Sequence, residues 1–224
     1  MATHLDFEEQ EQIDRLKAFW KQYGNLVTWT VILVLGAFAA WTGWQNWQAR
    51  QAAQASAMAD ELERAAQAGD TDRVAKVFND LKATYPRTVF AAQAGLQAAR
   101  AQLDKGQADA ARDTLRWVAD SASADEYRAI ARLHLAGLLI DQKQYDAAAQ
   151  QLDAAMGQGF DGLVADRRGD LLMAQGKTTE AGAAYQTAWK ALDPGLEYRR
   201  LVDAKLASLG LDPEATAATT GSAK

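Results

Sequence analysis

The chain has 224 residues, of which 49% are hydrophobic and 24% are charged, and its formal net charge is −5. Its 24 Lys and Arg residues are outnumbered by 29 Asp and Glu residues, and neither charge is gathered in blocks, so the composition argues against nucleic acid as a partner. The absence of cysteine excludes disulfides, thiolate nucleophiles, thiolate metal sites and a lipoprotein anchor. Abundant Ala, Gln, Leu and Asp, only three prolines and few β-branched runs predict an all-α fold.

Residues 1–25 predict a short amphipathic helix that lies along the membrane on the cytoplasmic side. Ile13, Leu16, Phe19, Trp20 and Tyr23 recur at steps of three and four, with acids early in the segment and lysines late. A cytoplasmic docking or degradation signal is the alternative interpretation of this exposed acidic segment.

Residues 26–47 predict a transmembrane helix. No charged residue lies between Lys21 and Arg50, and the stretch from Leu26 to Trp44 would be about 28 Å long as a helix, close to the roughly 30 Å of a bilayer core. Tryptophans are expected at both membrane interfaces, where their rings favour the headgroup region. These residues are Trp20, Trp29, Trp41, Trp44 and Trp47.

Two other interpretations of the apolar stretch stay open. It could be a buried core helix, or a cleaved signal in which Ala37-Phe38-Ala39 supplies the small residues that signal peptidase reads. The long acidic segment before the stretch and its unbroken continuation past Ala39 favour an uncleaved anchor.

The charges and small residues around the anchor give weaker evidence about the orientation of the chain in the membrane and about contacts with a partner helix. Three basic residues precede the apolar stretch within a short distance and two follow it, which favours a cytoplasmic N-terminus and a periplasmic C-terminal domain in a Gram-negative cell. Gly36 with Ala40, and Ala39 with Gly43, form small-xxx-small pairs that would let a partner helix approach closely.

Residues 51–210 predict a tetratricopeptide-like (TPR-like) solenoid of four helix-turn-helix units. Each unit has a turn residue, a small or β-branched residue five positions later, and a large apolar residue four positions after that. This pattern recurs at spacings of 33 to 37 residues. The four sets are Gly69, Val74, Phe78 and Leu81; Gly106, Ala111, Leu115 and Val118; Lys143, Ala148, Leu152 and Ala155; and Gly176, Ala181, Tyr185 and Ala188. Leu196 to Leu209 would cap the solenoid, and residues 211–224 predict a disordered tail. A plain helical bundle is the alternative.

The first helices of such units should line a concave surface suited to an extended or helical polypeptide. Counted from the turns, the predicted protein-binding groove contains Leu96, Arg100, Ile130, Leu133, Asp166, Asp170 and Met173. The alternative is that Leu96, Ile130 and Leu133 only fill the inside of a tight superhelix.

The sequence offers little for catalysis, and no cofactor is predicted. Its two histidines, His4 and His134, lie on opposite sides of the proposed membrane segment, which rules out a histidine-based triad or metal site. Asp166 and Asp170 stand one helical turn apart, as in some glycosidase or metal sites, but neighbouring arginines favour a solvated or locally paired cluster. No phosphate-binding loop, dinucleotide fingerprint or nucleophile elbow is present. The sequence therefore favours a binding protein over an enzyme.

The order of these parts resembles the ancillary SecYEG translocon subunit family of proteobacteria. The resemblance rests on the acidic N-terminus, the anchor followed by Gly43-Trp44-Gln45-Asn46-Trp47, the TPR-like units and the run from Val164 to Asp170. It implies an inner-membrane protein with a periplasmic TPR-like domain that associates with SecYEG and with a membrane-anchored periplasmic chaperone of the prolyl-isomerase type. It also implies exported polypeptides as clients. A cell-envelope assembly or signalling scaffold that uses the same groove is the alternative.

Overall fold

The computed structural model describes residues 7–154, 156–157 and 159–213 of the chain. Every regular element in these residues is an α-helix, which confirms the all-α prediction. The helices are α1 (Phe7–Gln67), α2 (Thr71–Thr84), α3 (Val89–Asp104), α4 (Ala108–Ser121), α5 (Asp125–Asp141), α6 (Tyr145–Asp153), α7 (Asp161–Ala174), α8 (Thr178–Ala191) and α9 (Tyr198–Ser208). His4, Ala155 and most of the predicted disordered tail lie outside the described residues.

The chain divides into two compact units, Met1–Gln51 and Ala52–Lys224. In the first unit, α1 runs without a break through both the predicted amphipathic segment and the predicted transmembrane segment, so the boundary near residue 25 is not a break in the helix. One stretch of α1 is apolar and long enough to span a membrane, and none of it is buried within the protein. Leu33, for example, is 72% exposed. This exposure argues against the buried-core interpretation, because a core helix covers its apolar side chains with protein.

Within the described residues of the second unit, four helix pairs are followed by α9. The first helices of the pairs are residues 52–67 of α1, then α3, α5 and α7, and the second helices are α2, α4, α6 and α8. This arrangement confirms the TPR-like prediction with its C-terminal capping helix. The helices bury the residues that the repeat pattern predicted to be in the core, among them Val74, Phe78, Leu115, Leu152 and Tyr185.

The turn inside each pair has the same backbone conformation. Gly69, Gly106 and Gly176 have φ values of 70°, 74° and 76°, and Lys143 takes the equivalent position with a φ of 58°. In each case the next residue donates its N–H to a carbonyl five residues back, as Gln107 does to Gln102 at 2.8 Å and Gln144 does to Leu139 at 2.8 Å. This hydrogen bond closes the end of the first helix and requires a left-handed residue, which glycine adopts without steric cost.

Close contact within the last pair depends on Gly169 of α7. A Cβ added there would lie 2.4 Å from Cε1 of Tyr185, which is the large residue of α8 in the repeat pattern. The missing side chain thus lets the Tyr185 ring lie directly on α7, where its hydroxyl reaches the polar cluster described next.

Candidate functional site

Asp166 is at the centre of a buried polar cluster that joins α7, α8 and α9. The residue is 0% exposed. The Lys205 ammonium of α9 lies 2.7 and 2.8 Å from its two carboxylate oxygens, and the Tyr198 hydroxyl donates to Oδ2 at 2.6 Å. A buried carboxylate is tolerated when a countercharge and hydrogen bonds replace water, and this site supplies both.

Asp170, one turn later on α7, shares the same lysine. Lys205 Nζ lies 2.7 Å from its Oδ1, the Tyr185 hydroxyl donates to Oδ1 at 2.9 Å, and Arg167 Nη1 donates to Oδ2 at 3.1 Å. Burial first, and then the hydrogen bond to an aspartate, raises the pKa of both Tyr185 and Tyr198 well above the ordinary tyrosine value. Both phenols therefore stay protonated and act as donors to the carboxylates.

The cluster revises the groove prediction for Asp166. Its carboxylate is buried and engaged by Lys205 and Tyr198, so it cannot meet a partner on an open surface. It is also neither solvated nor paired locally, because Lys205 lies 39 residues further along the chain. Asp170 is half-buried and accepts hydrogen bonds from Lys205, Tyr185 and Arg167, so both aspartates connect α9 to the last helix pair.

The other predicted groove residues divide into two groups. Leu133 is 8% exposed and belongs to the main core, and Leu96 packs against the same core while half-buried. Ile130 is half-buried, and Arg100 and Met173 are exposed. Leu133 and Leu96 therefore fit the alternative in which the aliphatic residues fill the inside of the superhelix. Of the three polar residues in the predicted groove, Arg100 is the one with an exposed side chain.

One of the two rows that the first helices expose lies one residue further along the chain than the prediction placed it, whereas the other row contains Arg100 and Asp170, which the prediction already included. Leu96, Leu133 and Asp166 all stand ten residues before the turn residue of their unit, and that position points inward. The position nine before the turn is exposed or half-buried in every unit, as is the position six before it. We call these two rows the first-helix face: Asp60, Gln97, His134 and Arg167, with Glu63, Arg100, Gly137 and Asp170.

His134 and Arg167 are two of the six members of this face that the groove predicted from the sequence does not contain. Burial, then the positive charges of Arg167 and Arg100, lowers the pKa of His134 below its ordinary value of 6.5. Both guanidinium charges therefore act on the His134 ring. The matching distance of His134 and Arg167 from their turn residues was the signal in the sequence that could have found them.

The residues predicted to contact the membrane or a partner helix lie along α1. A Cβ added at Gly36 or Gly43 would meet no atom within 4 Å, so these positions are open on the helix surface, as is Ala40. The predicted interfacial tryptophans are all exposed, and they are Trp20, Trp29, Trp41, Trp44 and Trp47. Their roles as membrane and helix contacts stay predictions.

Comparison with known proteins agrees with this architecture. A family model for a tetratricopeptide repeat-like domain matches residues 17–211, which include both the apolar stretch of α1 and the helix pairs. A protein of Neisseria gonorrhoeae named ancillary SecYEG translocon subunit is 33% identical over 93% of this chain and 100% of its own length. Proteins of the same name from Escherichia coli and Haemophilus influenzae are 28% and 29% identical, over 82% and 81% of this chain and 88% of their own lengths. No solved structure matches the chain.

An exposed apolar helix of membrane-spanning length, followed by four helix pairs with a common turn, defines a single-pass membrane protein with a TPR-like domain. The near full-length similarity to the gonococcal protein specifies this class further. The chain belongs to the ancillary SecYEG translocon subunit family.

Proposed function

We propose that the chain is a non-catalytic adaptor or chaperone-type subunit that associates with the SecYEG translocon in the inner membrane. The observation that carries this proposal is the similarity to the gonococcal ancillary SecYEG translocon subunit, which extends over all of that relative and through the anchor as well as the repeats. A shared anchor matters because a subunit of a membrane complex needs both its binding surface and its position in the bilayer.

The polar groups of the repeat domain support a binding role over a catalytic one. Within the part of the chain that the structure describes, no three His, Asp or Glu side chains gather as a metal site would require. The carboxylate pair considered for acid-base chemistry, Asp166 and Asp170, is bridged by Lys205. A shared ammonium holds both carboxylates in place and leaves neither poised for a substrate.

The proposed topology places the N-terminus in the cytoplasm, residues 26–47 in the lipid bilayer and the TPR-like domain in the periplasm. The basic residues before the apolar stretch and the exposed tryptophans at both of its ends support this arrangement. An alkaline phosphatase fusion after α9 should be active, because the enzyme folds only outside the cytoplasm. A fusion that is stably produced but inactive would reverse the topology.

The proposed partners in the periplasm are exported polypeptides and a membrane-anchored chaperone of the prolyl-isomerase type, bound through the first-helix face. TPR-like domains suit this task because a row of parallel helices presents side chains at regular intervals along a bound chain. Tethering by α1 would keep the face at high effective concentration near emerging polypeptides, without requiring a high intrinsic affinity.

Photo-cross-linking in cells tests this assignment directly. A cross-linkable amino acid at His134, on the first-helix face, should yield adducts with SecYEG, the chaperone or exported chains. The same amino acid at Arg116, which is exposed on the second helix α4, serves as the matched control and should yield few adducts. Adducts from His134 only to outer-membrane assembly or division proteins would favour the envelope-scaffold alternative.

A further inference from the structure

We propose that residues 82–89, which we call the α2–α3 segment, bind the lipid headgroups of the membrane surface, with anionic phospholipids preferred. The segment contains the end of α2, the loop that follows and the first residue of α3. The inference rests on the proposed position of residues 26–47 in the bilayer, but not on which side of the membrane the repeat domain lies. It gives that domain a second membrane contact besides its anchor.

The α2–α3 segment lies beside the part of α1 that directly follows the anchor in the sequence. Near the start of α2, Arg73 pairs with Glu61 at 2.8 Å. Just after the end of α2, the Tyr85 hydroxyl donates to Oε1 of Gln54 at 2.8 Å. The contacts therefore move back along α1 as α2 proceeds, which places the α2–α3 segment at the end of the helix pair where α1 enters the repeat domain.

The contact at Gln54 also limits how far the α2–α3 segment can lie from the bilayer. Gln54 follows residues 26–47 by seven positions, which is about 10 Å in a continuous helix such as α1. The polar headgroup region extends roughly 6 Å beyond the hydrocarbon core on each side. A long side chain from the segment can therefore cover the remaining distance to the lipid phosphates.

The exposed groups of the segment suit a headgroup layer. Arg87 is exposed, and its side chain makes no hydrogen bond or ion pair with any residue that the structure describes. Pro86 beside it is exposed, and Val89 is 45% exposed. Lipid phosphates accept paired hydrogen bonds from a guanidinium, and the layer beneath them takes up apolar side chains. A bilayer surface thus satisfies both kinds of group in one place.

The charges in this part of the chain have one sign, although the chain as a whole is acidic. Residues 44–59 and 81–103 contain no Asp or Glu. Their charged residues are Arg50, Lys82, Arg87 and Arg100. The equivalent positions of the next unit, residues 119–126, contain three acids and no basic residue. A basic segment next to the anchor, with no acid to offset it along the chain, favours an anionic surface, whereas the next loop does not.

The test uses single cysteines that carry a fluorescent label, since the chain has no cysteine of its own. The full-length protein is reconstituted into nanodiscs of phosphatidylcholine and phosphatidylglycerol in which some headgroups carry a nitroxide quencher. We expect strong quenching of a label at Thr84→Cys, which is exposed at the end of α2. Gln107→Cys, exposed at the turn between α3 and α4, is the matched control. It should be quenched only weakly, because it lies at the other end of α3.

Charge and lipid composition supply a second readout, which a purely structural role for the segment would not change. Adding Arg87→Glu to the Thr84→Cys protein should lower the ratio of lipid-bound to released segments at least about fivefold, the effect of one basic residue at an anionic surface. Lys177→Glu, at the exposed turn between α7 and α8, should change the ratio by less than about twofold. Nanodiscs of phosphatidylcholine alone, or high salt, should also reduce the quenching at residue 84.

The outcomes separate the inference from the proposed function. A label at Ala40→Cys, with nitroxides on the acyl chains, reports whether α1 lies in the bilayer. Quenching at residue 40 without quenching at residue 84 would overturn the headgroup contact and leave the proposed membrane position in place. Equal quenching at residues 84 and 107, or no effect of Arg87→Glu, would overturn the contact as well. No quenching at residue 40 would overturn both, while cross-links from His134 in cells decide the proposed partners independently.

Discussion

Lys205 lies within 2.8 Å of three carboxylate oxygens, two from Asp166 and one from Asp170. A single ammonium group therefore balances two carboxylates, and Arg167 and two tyrosine hydroxyls complete their hydrogen bonding. Removing a countercharge from a carboxylate that is 0% exposed leaves an uncompensated buried charge, which is among the costlier changes a folded protein can undergo.

Lys205→Met should therefore destabilise the repeat domain by roughly 3 kcal/mol, near the low end for a broken buried ion pair because Lys205 is itself 22% exposed. Urea unfolding followed by circular dichroism would measure the loss, and hydrogen exchange should locate it in α9. Lys190→Met, at the exposed end of α8, is the matched control and should change stability by less than about 0.5 kcal/mol. An unchanged α9 in Lys205→Met would contradict the role of the cluster.

The double variant Asp166→Leu with Lys205→Met should recover part of that stability. Leu occupies the equivalent position in the two preceding units, at Leu96 and Leu133, and an apolar pair removes the buried charge together with its partner. No recovery in the same urea titration would indicate that packing around Lys205, rather than charge pairing, holds α9.

His134 should titrate below its ordinary value, because burial and the charges of Arg167 and Arg100 lower its pKa. Between that lowered pKa and 6.5, the unfolded chain binds more protons at this residue than the folded chain does, so its contribution to stability should fall as the pH falls. A ring titration by NMR, with His4 replaced by Gln to leave one signal, would measure the midpoint. A midpoint at or above 6.5 would contradict the arrangement of Arg100 and Arg167 around His134.

At the scale of elements, the turn inside each helix pair is the most regular feature of the domain. Lys143 is the exception, since it adopts a φ of 58° where the other three units have glycine. A side chain in this left-handed region costs roughly 1 to 2 kcal/mol relative to the right-handed one, and glycine avoids that cost.

Lys143→Gly should accordingly stabilise the domain by about 1 kcal/mol, which the same urea titration would detect. Gly106→Ala is the converse control, because it introduces a side chain at the equivalent turn with a φ of 74° and no neighbour within 4 Å. It should destabilise the domain by a similar amount. A destabilising Lys143→Gly would mean that the lysine side chain makes a favourable contact that outweighs its backbone conformation.

The helix pairs and their turns could be predicted from the sequence because both depend on local patterns, namely the spacing of buried residues and the glycines at the turns. The exposed face could be predicted only approximately. Side chains at adjacent helix positions point about 100° apart, so an error of one residue places the predicted face on another side of the helix. Asp166 is buried, but its charge made the position ten residues before the turn resemble a polar surface position. Its true partner, Lys205, lies 39 residues away, so no local pattern could show that the charge was satisfied.

The continuity of α1 also lay beyond local patterns. The change from an amphipathic segment to an apolar one suggested a boundary near residue 25, but neither Gly nor Pro interrupts the helix sufficiently to end it there. Gly24 instead lies against the Trp20 ring, with a hypothetical Cβ 3.2 Å from Cδ1. A helix interior tolerates a glycine at a cost of about 1 kcal/mol, and the neighbouring turns can offset that cost.

For the molecule as a whole, an apolar helix of membrane-spanning length continues into a repeat domain that has an exposed, charged face. The similarity to the ancillary SecYEG translocon subunit of Neisseria gonorrhoeae and the match of the repeat-family model both cover the two parts. Under the proposed function, a repeat domain without its anchor would lose the high local concentration near its partners that tethering to the membrane provides.

Purification of the tagged full-length chain from membranes in mild detergent tests the central claim most directly. We expect SecY, SecE and SecG to co-purify with it, and a version whose residues 26–47 are replaced by an unrelated membrane-spanning helix to recover less of them. Reproducible recovery of outer-membrane assembly or division proteins without any SecYEG component would contradict the account.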